Sequence, residues 1–325
     1  YPEALFLNLF HNKNDMKNIH DVLIIGGGLS GSLLGSMIVK RGLDVLIVEK
    51  SKLLGGRCSS KPVDGGLADY GCQLFKPKSR SARLLLEGLH KKHIVQYSSI
   101  QDQHCSYVGN YGISKIPQFF SLGVPSLTNT KIDRLRYHEG LWNVYSENKH
   151  FKSKTVIMTM PTKQVKNLIS KSTLDYDLTT PKPKYRALYT CTFSSISDID
   201  FMESTDHKDY SWIINNTKKG IHNSKSIYTV NSSERLTKKL QILDKPDQIN
   251  LVDKALSNYG FKQINDLKIH FWKYAFIEGK SPLKYSWNPE YGIGACGDGY
   301  GHGNIDGAIT SAYQIKEPII HFLDQ

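Results

Sequence analysis

Asp21-Val22-Leu23-Ile24-Ile25-Gly26-Gly27-Gly28-Leu29-Ser30-Gly31 is the stretch on which the fold turns. A short apolar run ends directly in glycines, as a buried parallel strand does before a tight turn. Leu33, Leu34, Met37 and Ile38 then recur at helical spacing. They predict a helix from about Ser30 to Lys40, ended by Gly42. Val45-Leu46-Ile47-Val48 is a second buried strand with Glu49 at its tip. The three pieces make a β-α-β unit.

The glycine spacing has a physical reading. In Gly26-x-Gly28-x-x-Gly31 the first glycine permits the turn and the second lets backbone approach a pyrophosphate. The third lets the helix pack against the strand. The helix start, with Leu29 and Ser30, then offers free N–H groups and a partial positive charge. Glu49 follows Gly31 by 18 residues. A carboxylate there can accept from both ribose hydroxyls of an adenosine. Lys50 beside it joins the same candidate set.

Three further motifs extend the site. Gly55-Gly56-Arg57 lets the chain pass close to a cofactor and offers a bidentate partner for a pyrophosphate. Alone it reads as a surface turn with a solvated arginine. In Asp69-Tyr70-Gly71-Cys72-Gln73, backbone near Gly71 and Gln73 suits a planar ring, and a hairpin entry suits the same residues. Gly297-Asp298 offers a carboxylate for a ribityl hydroxyl. Asn304, Ile305 and Ala308 open the last helix, whose amides can stabilise charge on a reduced flavin. An N-capped structural helix would look the same. Taken together these elements indicate FAD, held as a resident cofactor.

The rest of the chain is read more coarsely. Arg83 to Leu89 predicts a short helix. Segments 103–120 and 141–145 alternate as strands, with Tyr107, Tyr111, Trp142 and Val144 as inward candidates. Thr155 to Met160 is a buried strand stopped by Pro161, and 162–170 turns helical. Residues 184–290 read as an α+β module. It has strands at Tyr185–Phe193, Tyr210–Ile214 and Ser226–Val230, a helix at Gln248–Tyr259, and a strand through His270 and Trp272. A final helix covers Asn304 to Phe322.

Composition excludes several classes. At 39% hydrophobic and 22% charged residues the 325-residue chain is ordinary globular protein. No apolar run approaches the roughly 18 residues of a bilayer span. Residues 1–20 read as an N-terminal extension, with Met16 just ahead of the first strand. Five scattered cysteines (58, 72, 105, 191, 296) without a C-x-x-C pair indicate a reduced, cytoplasmic protein with no metal site. Of the net charge of +12, residues 76–290 carry +14, enough to attract a polyanionic substrate. A solvated, lysine-rich surface reads equally well. No recognition module argues for nucleic acid, and nothing sets an oligomeric state.

The order of these pieces resembles the amine-oxidase-like FAD superfamily, and within it the renalase family. His270-Phe271-Trp272-Lys273-Tyr274-Ala275 is similar to a renalase stretch. Gly297-Asp298-Gly299-Tyr300, with Asn304 through Ala312, resembles that family's closing helix. The resemblance covers about 20–75, 130–170 and 265–320. It implies an α/β fold: a Rossmann-type FAD-binding domain with an interleaved α+β substrate domain, amine oxidase/p-hydroxybenzoate hydroxylase-like. The FAD domain would comprise 21–78, 121–175 and 291–325, and the substrate domain 79–120 and 176–290. Backbone near Ile132 would touch the adenine side.

The implied activity is oxidation of isomeric (2- or 6-) dihydronicotinamide dinucleotides to NAD(P)+. Hydride passes to FAD, and O2 then takes the electrons to give H2O2. The alternative is an amine oxidase or desaturase-type enzyme with another small substrate. His270, Trp272 and Tyr300 are the catalytic candidates, each also readable as a structural residue. Trp212 and Asn215 are candidates for the substrate wall, and Lys273 reads as a surface charge.

Overall fold

The computed structural model describes residues 19–98, 106–172, 178–200, 202–203 and 208–325. The extension up to residue 18 and Cys105 lie outside these residues. The chain opens with β1 (His20–Ile25), α1 (Leu29–Val39) and β2 (Val45–Val48), as the apolar runs and glycines require. A hairpin of β3 (Ser60–Val63) and β4 (Gly66–Asp69) follows. Next come α2 (Arg80–Lys91), β5 (Val95–Tyr97), β6 (Tyr107–Gly109), α3 (Lys115–Ser121) and β7 (Ser126–Leu127). Then β8 (Ile132–His138), β9 (Leu141–Ser146), β10 (His150–Met158) and α4 (Thr162–Ser170) lead into the second half.

That half holds β11 (Lys184–Ser194), β12 (Met202–Glu203), β13 (Tyr210–Asn215), β14 (Ile227–Ser232), α5 (Glu234–Leu240) and α6 (Lys245–Tyr259). β15 (Asn265–Glu278), β16 (Ser286–Asn288), β17 (Ile293–Ala295) and α7 (Asn304–Leu323) complete the chain.

Two sheets organise the molecule. The first runs β16-β17-β10-β1-β2-β7, with the β8–β9 meander paired to β10. β1 pairs in parallel with both β2 and β10, Val22 lying between Val45 and Thr155. β1 alternates toward two cores. Val22 and Ile24 face a layer that includes α1, α2, α3 and α7. Leu23 and Ile25 face a second cluster with Leu135, Trp142 and Val165. Burial on both faces is why these strands are continuously apolar.

The second sheet, β12-β13-β14-β11-β15, is antiparallel. β11 alternates along its buried part. Tyr189, Cys191 and Phe193 of β11 bury against α5 and α6. Thr190, Thr192 and Ser194 turn the other way, toward the β3–β4 hairpin: the Ser194 hydroxyl bonds Asp64, and Thr229 of the neighbouring strand donates to the Asp69 carbonyl. Period-two patterning is what separates the two faces of β11 in this way.

The sequence reading needs three corrections here. Residues 115–121 form a helix, where a strand was expected through 120. Ile116 and Phe120, four apart, bury one side of it. Tyr111 is 68% exposed at a turn, so it is no core residue, whereas Tyr107, Trp142 and Val144 are buried. The helices of 79–120, expected in the substrate domain, contribute Leu86, Leu89, Ile116 and Phe120 to the core shared with α1 and α7.

Candidate active site

The glycine loop is built as its spacing demands. Gly26 has φ +110°, a conformation that L side chains rarely adopt. A Cβ on Gly31 would sit 2.0 Å from the Gly26 carbonyl oxygen, so α1 approaches the turn only because position 31 has no side chain. A Cβ on Gly28 would meet nothing within 4 Å. The backbone there faces open space. No side chain caps α1 at Gly28, and no acidic residue stands in its first turn. The helix start keeps its free amides and its partial positive charge for a ligand. The Ser30 hydroxyl turns inward, 3.2 Å from the Cys296 sulfur, and Leu29 is buried. Those two positions therefore offer backbone.

Glu49 is buried at the tip of β2. One carboxylate oxygen accepts from the Gly27 amide and the other from the Ser51 amide, both at 2.8 Å. Each oxygen retains acceptor capacity. The chain at 127–130 runs alongside, with Glu49 N–H donating to Leu127 and Thr130 N–H to Glu49. Ile132 follows, buried in the cluster with Val48. The adenosine-side candidates therefore converge, except Lys50, which is exposed. An open glycine cradle, an uncapped helix and a carboxylate with spare acceptors fit an adenine dinucleotide.

At the other end, Arg57 and Asp298 face each other. An Arg57 Nη1 bonds Asp298 at 2.6 Å and the Tyr274 carbonyl at 2.9 Å. Two groups assigned separately to pyrophosphate and ribityl are one ion pair in this structure. Gly56 lies against Gly28, its added Cβ meeting the Gly28 Cα at 3.3 Å. Gly297 has φ +146° and donates its amide to Ser311.

Other candidates are used structurally. A Cβ on Gly71 would strike the Arg57 carbonyl oxygen at 2.0 Å, so Gly71 is a packing glycine. Gln73 donates to the Asp69 and Gly71 carbonyls and accepts from Lys219. Asn304, at φ +52°, accepts from the Ile277 amide and so stitches α7 to β15. Ile305 and Ala308 pack into the helical core. Tyr300 is corrected outright. It is 1% exposed, sits in the core, and its hydroxyl lies 2.9 Å from that of Ser286. Asn215 is also corrected. It is buried, with its side chain accepting from the Thr217 and Lys218 amides in a turn.

His270 and Trp272 stand on one face of β15, the edge strand. Their rings are 4.3 Å apart, and Tyr70 meets both, at 5.2 and 5.4 Å. The Trp272 indole donates to the Tyr70 carbonyl at 2.9 Å. Tyr70 adjoins Gly71, so this cluster borders the Arg57–Asp298 end of the site. All three rings are half-buried. Burial first, then Lys61 and Lys245, hold the His270 ring below its ordinary value, which favours neutral imidazole.

Sequence reading missed a buried joint. Lys219 and Asp69 are both 0% exposed and pair at 2.8 Å. Asp69 also accepts from Ser60 and the Ile113 amide, and its own amide donates to Asn216. This network ties β4 to the second sheet. Lys219 lay hidden in a lysine pair that reads as solvated charge. Some of the basic middle is locally neutralised: Lys131, Lys184, Lys218 and Lys238 all have carboxylate partners.

Comparison with known proteins bears on this geometry. Residues 24–89 match the model of the NAD(P)-binding Rossmann-like domain family. An uncharacterized protein from the nifH2 3' region of Methanothermococcus thermolithotrophicus is 31% identical over 96 residues, covering 30% of this chain and 90% of that protein. A probable flavin-containing monoamine oxidase A of Dictyostelium discoideum is 28% identical over 169 residues, half of this chain but only 36% of that one.

Among solved structures, a putative protoporphyrinogen oxidase from Exiguobacterium superposes with TM-score 0.71 at 9% identity, over 94% of this chain and 99% of the other. Cyclohexylamine oxidase from Brevibacterium oxydans gives 0.66 at 12% identity, over 94% and 100%. The fold is thus shared with these oxidases along nearly the whole chain. No helix among the described residues is long and apolar enough to cross a membrane.

Proposed function

We propose that this chain, which belongs to one family with the Methanothermococcus protein and to the amine-oxidase-like FAD superfamily, is an FAD-dependent oxidoreductase acting on a small molecule. Bound without a covalent link, the flavin supplies the two-electron acceptor, and the protein supplies binding and orientation. Glu49 and the α1 amides would hold the adenosine and pyrophosphate, and Arg57 would exchange Asp298 for a phosphate. The four described cysteines are free, which suits a reducing compartment such as the cytoplasm.

Within that class the substrate reading is an isomeric dihydronicotinamide dinucleotide, with O2 as final acceptor. The cluster of Tyr70, His270 and Trp272 carries it. Its flat rings suit a nicotinamide, and the neutral His270 can accept a hydrogen bond from a carboxamide. Trp272 is oriented by its bond to the Tyr70 carbonyl, so its face is held rather than free to rotate. Anaerobic mixing of FAD-loaded protein with 2- or 6-dihydro-NAD should bleach the flavin band. An unbleached band at saturating substrate would overturn the reading. The Dictyostelium relative supports amine oxidation as the second reading, and bleaching by a primary amine would select it.

A further inference from the structure

Lys61 stands in the aromatic patch without an acidic partner among the described ion pairs. Its ammonium lies 4.6 Å from the centre of the Tyr70 ring. That ring packs against His270 and Trp272, so the cation and the three rings form one surface. Lys268 is nearby but committed, to Asp266 at 2.7 Å and to the Pro62 carbonyl at 2.9 Å. Both acids of the hairpin are taken, Asp64 by Lys225 and Ser194 and Asp69 by Lys219. Lys61 is half-buried, and burial and Lys268 pull it down to about 8. It thus keeps most of its charge at neutral pH. The Tyr70 face attracts this ammonium, but its partial burial is not offset by a carboxylate, which leaves it able to take an anion.

We propose that Lys61 binds an anionic group of the substrate while the Tyr70 and Trp272 rings border its heteroaromatic ring. The substrate class is therefore a heteroaromatic ring carrying a phosphate. An alkylammonium would be repelled by Lys61, and the same surface is thus a filter against amines. The inference rests on the dihydronicotinamide reading of the site and adds the residue that selects the phosphate. Tyr70 and Lys61 come from the β3–β4 hairpin and its exit, and His270 and Trp272 from β15. The site therefore exists only where hairpin and second sheet meet.

The test is calorimetric titration of the FAD-loaded full chain with nicotinamide mononucleotide and with nicotinamide riboside, which differ by one phosphate. The mononucleotide should bind about tenfold tighter or more. Lys61→Met should abolish that preference and Lys61→Arg should retain it. Both variants should keep the wild-type flavin content and melting midpoint. Equal affinity in the wild type, a preference that survives Lys61→Met, or binding of neither ligand overturns the proposal. Anaerobic reduction by dihydro-NAD isomers is read separately. A Lys61-dependent preference without reduction would leave the anion site standing and remove the proposed reaction.

Discussion

Glu49 and Asp69 are both buried carboxylates at the ends of short strands, and the chain uses them in opposite ways. Glu49 accepts from two backbone amides and borders the open floor of the glycine loop. Asp69 accepts from a hydroxyl, an amide and the ammonium of Lys219, with none of the ion pair exposed. The first keeps acceptor capacity beside open space. The second is closed on every side. Spare acceptors next to a cradle mark a place for a ligand, and a saturated carboxylate marks a joint.

The largest expected effect breaks the joint. Lys219→Met leaves Asp69 buried without its cation and should cost about 3–5 kcal/mol. Urea unfolding measures it, and a loss close to zero would mean the pair is not closed in solution. Converting both partners, Lys219→Met with Asp69→Asn, should recover part of that loss, because no uncompensated charge remains.

Next comes Glu49→Gln. It keeps the shape but loses the charge, and its amide nitrogen faces one of the two donors. FAD affinity should fall by about 1.5–3 kcal/mol, the range for hydrogen bonds to a charged group. Titration of apoprotein with FAD measures this. Unchanged affinity would place the adenosine elsewhere.

Tyr300→Phe is smaller. It removes one neutral hydrogen bond, to Ser286, and should cost about 1 kcal/mol. Turnover should stay at the wild-type level, and a large loss would return Tyr300 to the reaction.

The smallest effect concerns pH. His270 is held below its ordinary value of 6.5 by burial and two lysines. The unfolded chain therefore takes up this proton first as pH falls. The contribution is full above about 6.5 and is lost below it. His270→Gln should flatten the acid side of the stability–pH curve, and an unchanged slope would show that the ring is not desolvated.

Legibility followed the range of each interaction. The β-α-β unit was readable because local periodicity and glycine geometry dictate it, and Gly26, Gly28, Gly31 and Glu49 all fall where their spacing required. The hairpin at 60–69 was not legible because its partners lie more than a hundred residues away in Asn216, Lys219 and Thr229. Helix 115–121 was missed because seven residues with a proline carry little periodic signal. Tyr300 was misplaced because a motif locates a backbone position and says nothing of where the ring turns. Lys61 and Lys219 carried no sequence signal. In this lysine-rich chain, only burial distinguishes them from solvated charges.

FAD held without a covalent link over the glycine loop is the assignment on which every other role depends. An absorption spectrum of the purified protein, repeated on the supernatant after acid precipitation, tests it most directly. The prediction is a flavin band equivalent to one FAD per chain, all of it released into the supernatant. A colourless protein that takes up no FAD on incubation, or a band that stays with the pellet, would contradict it.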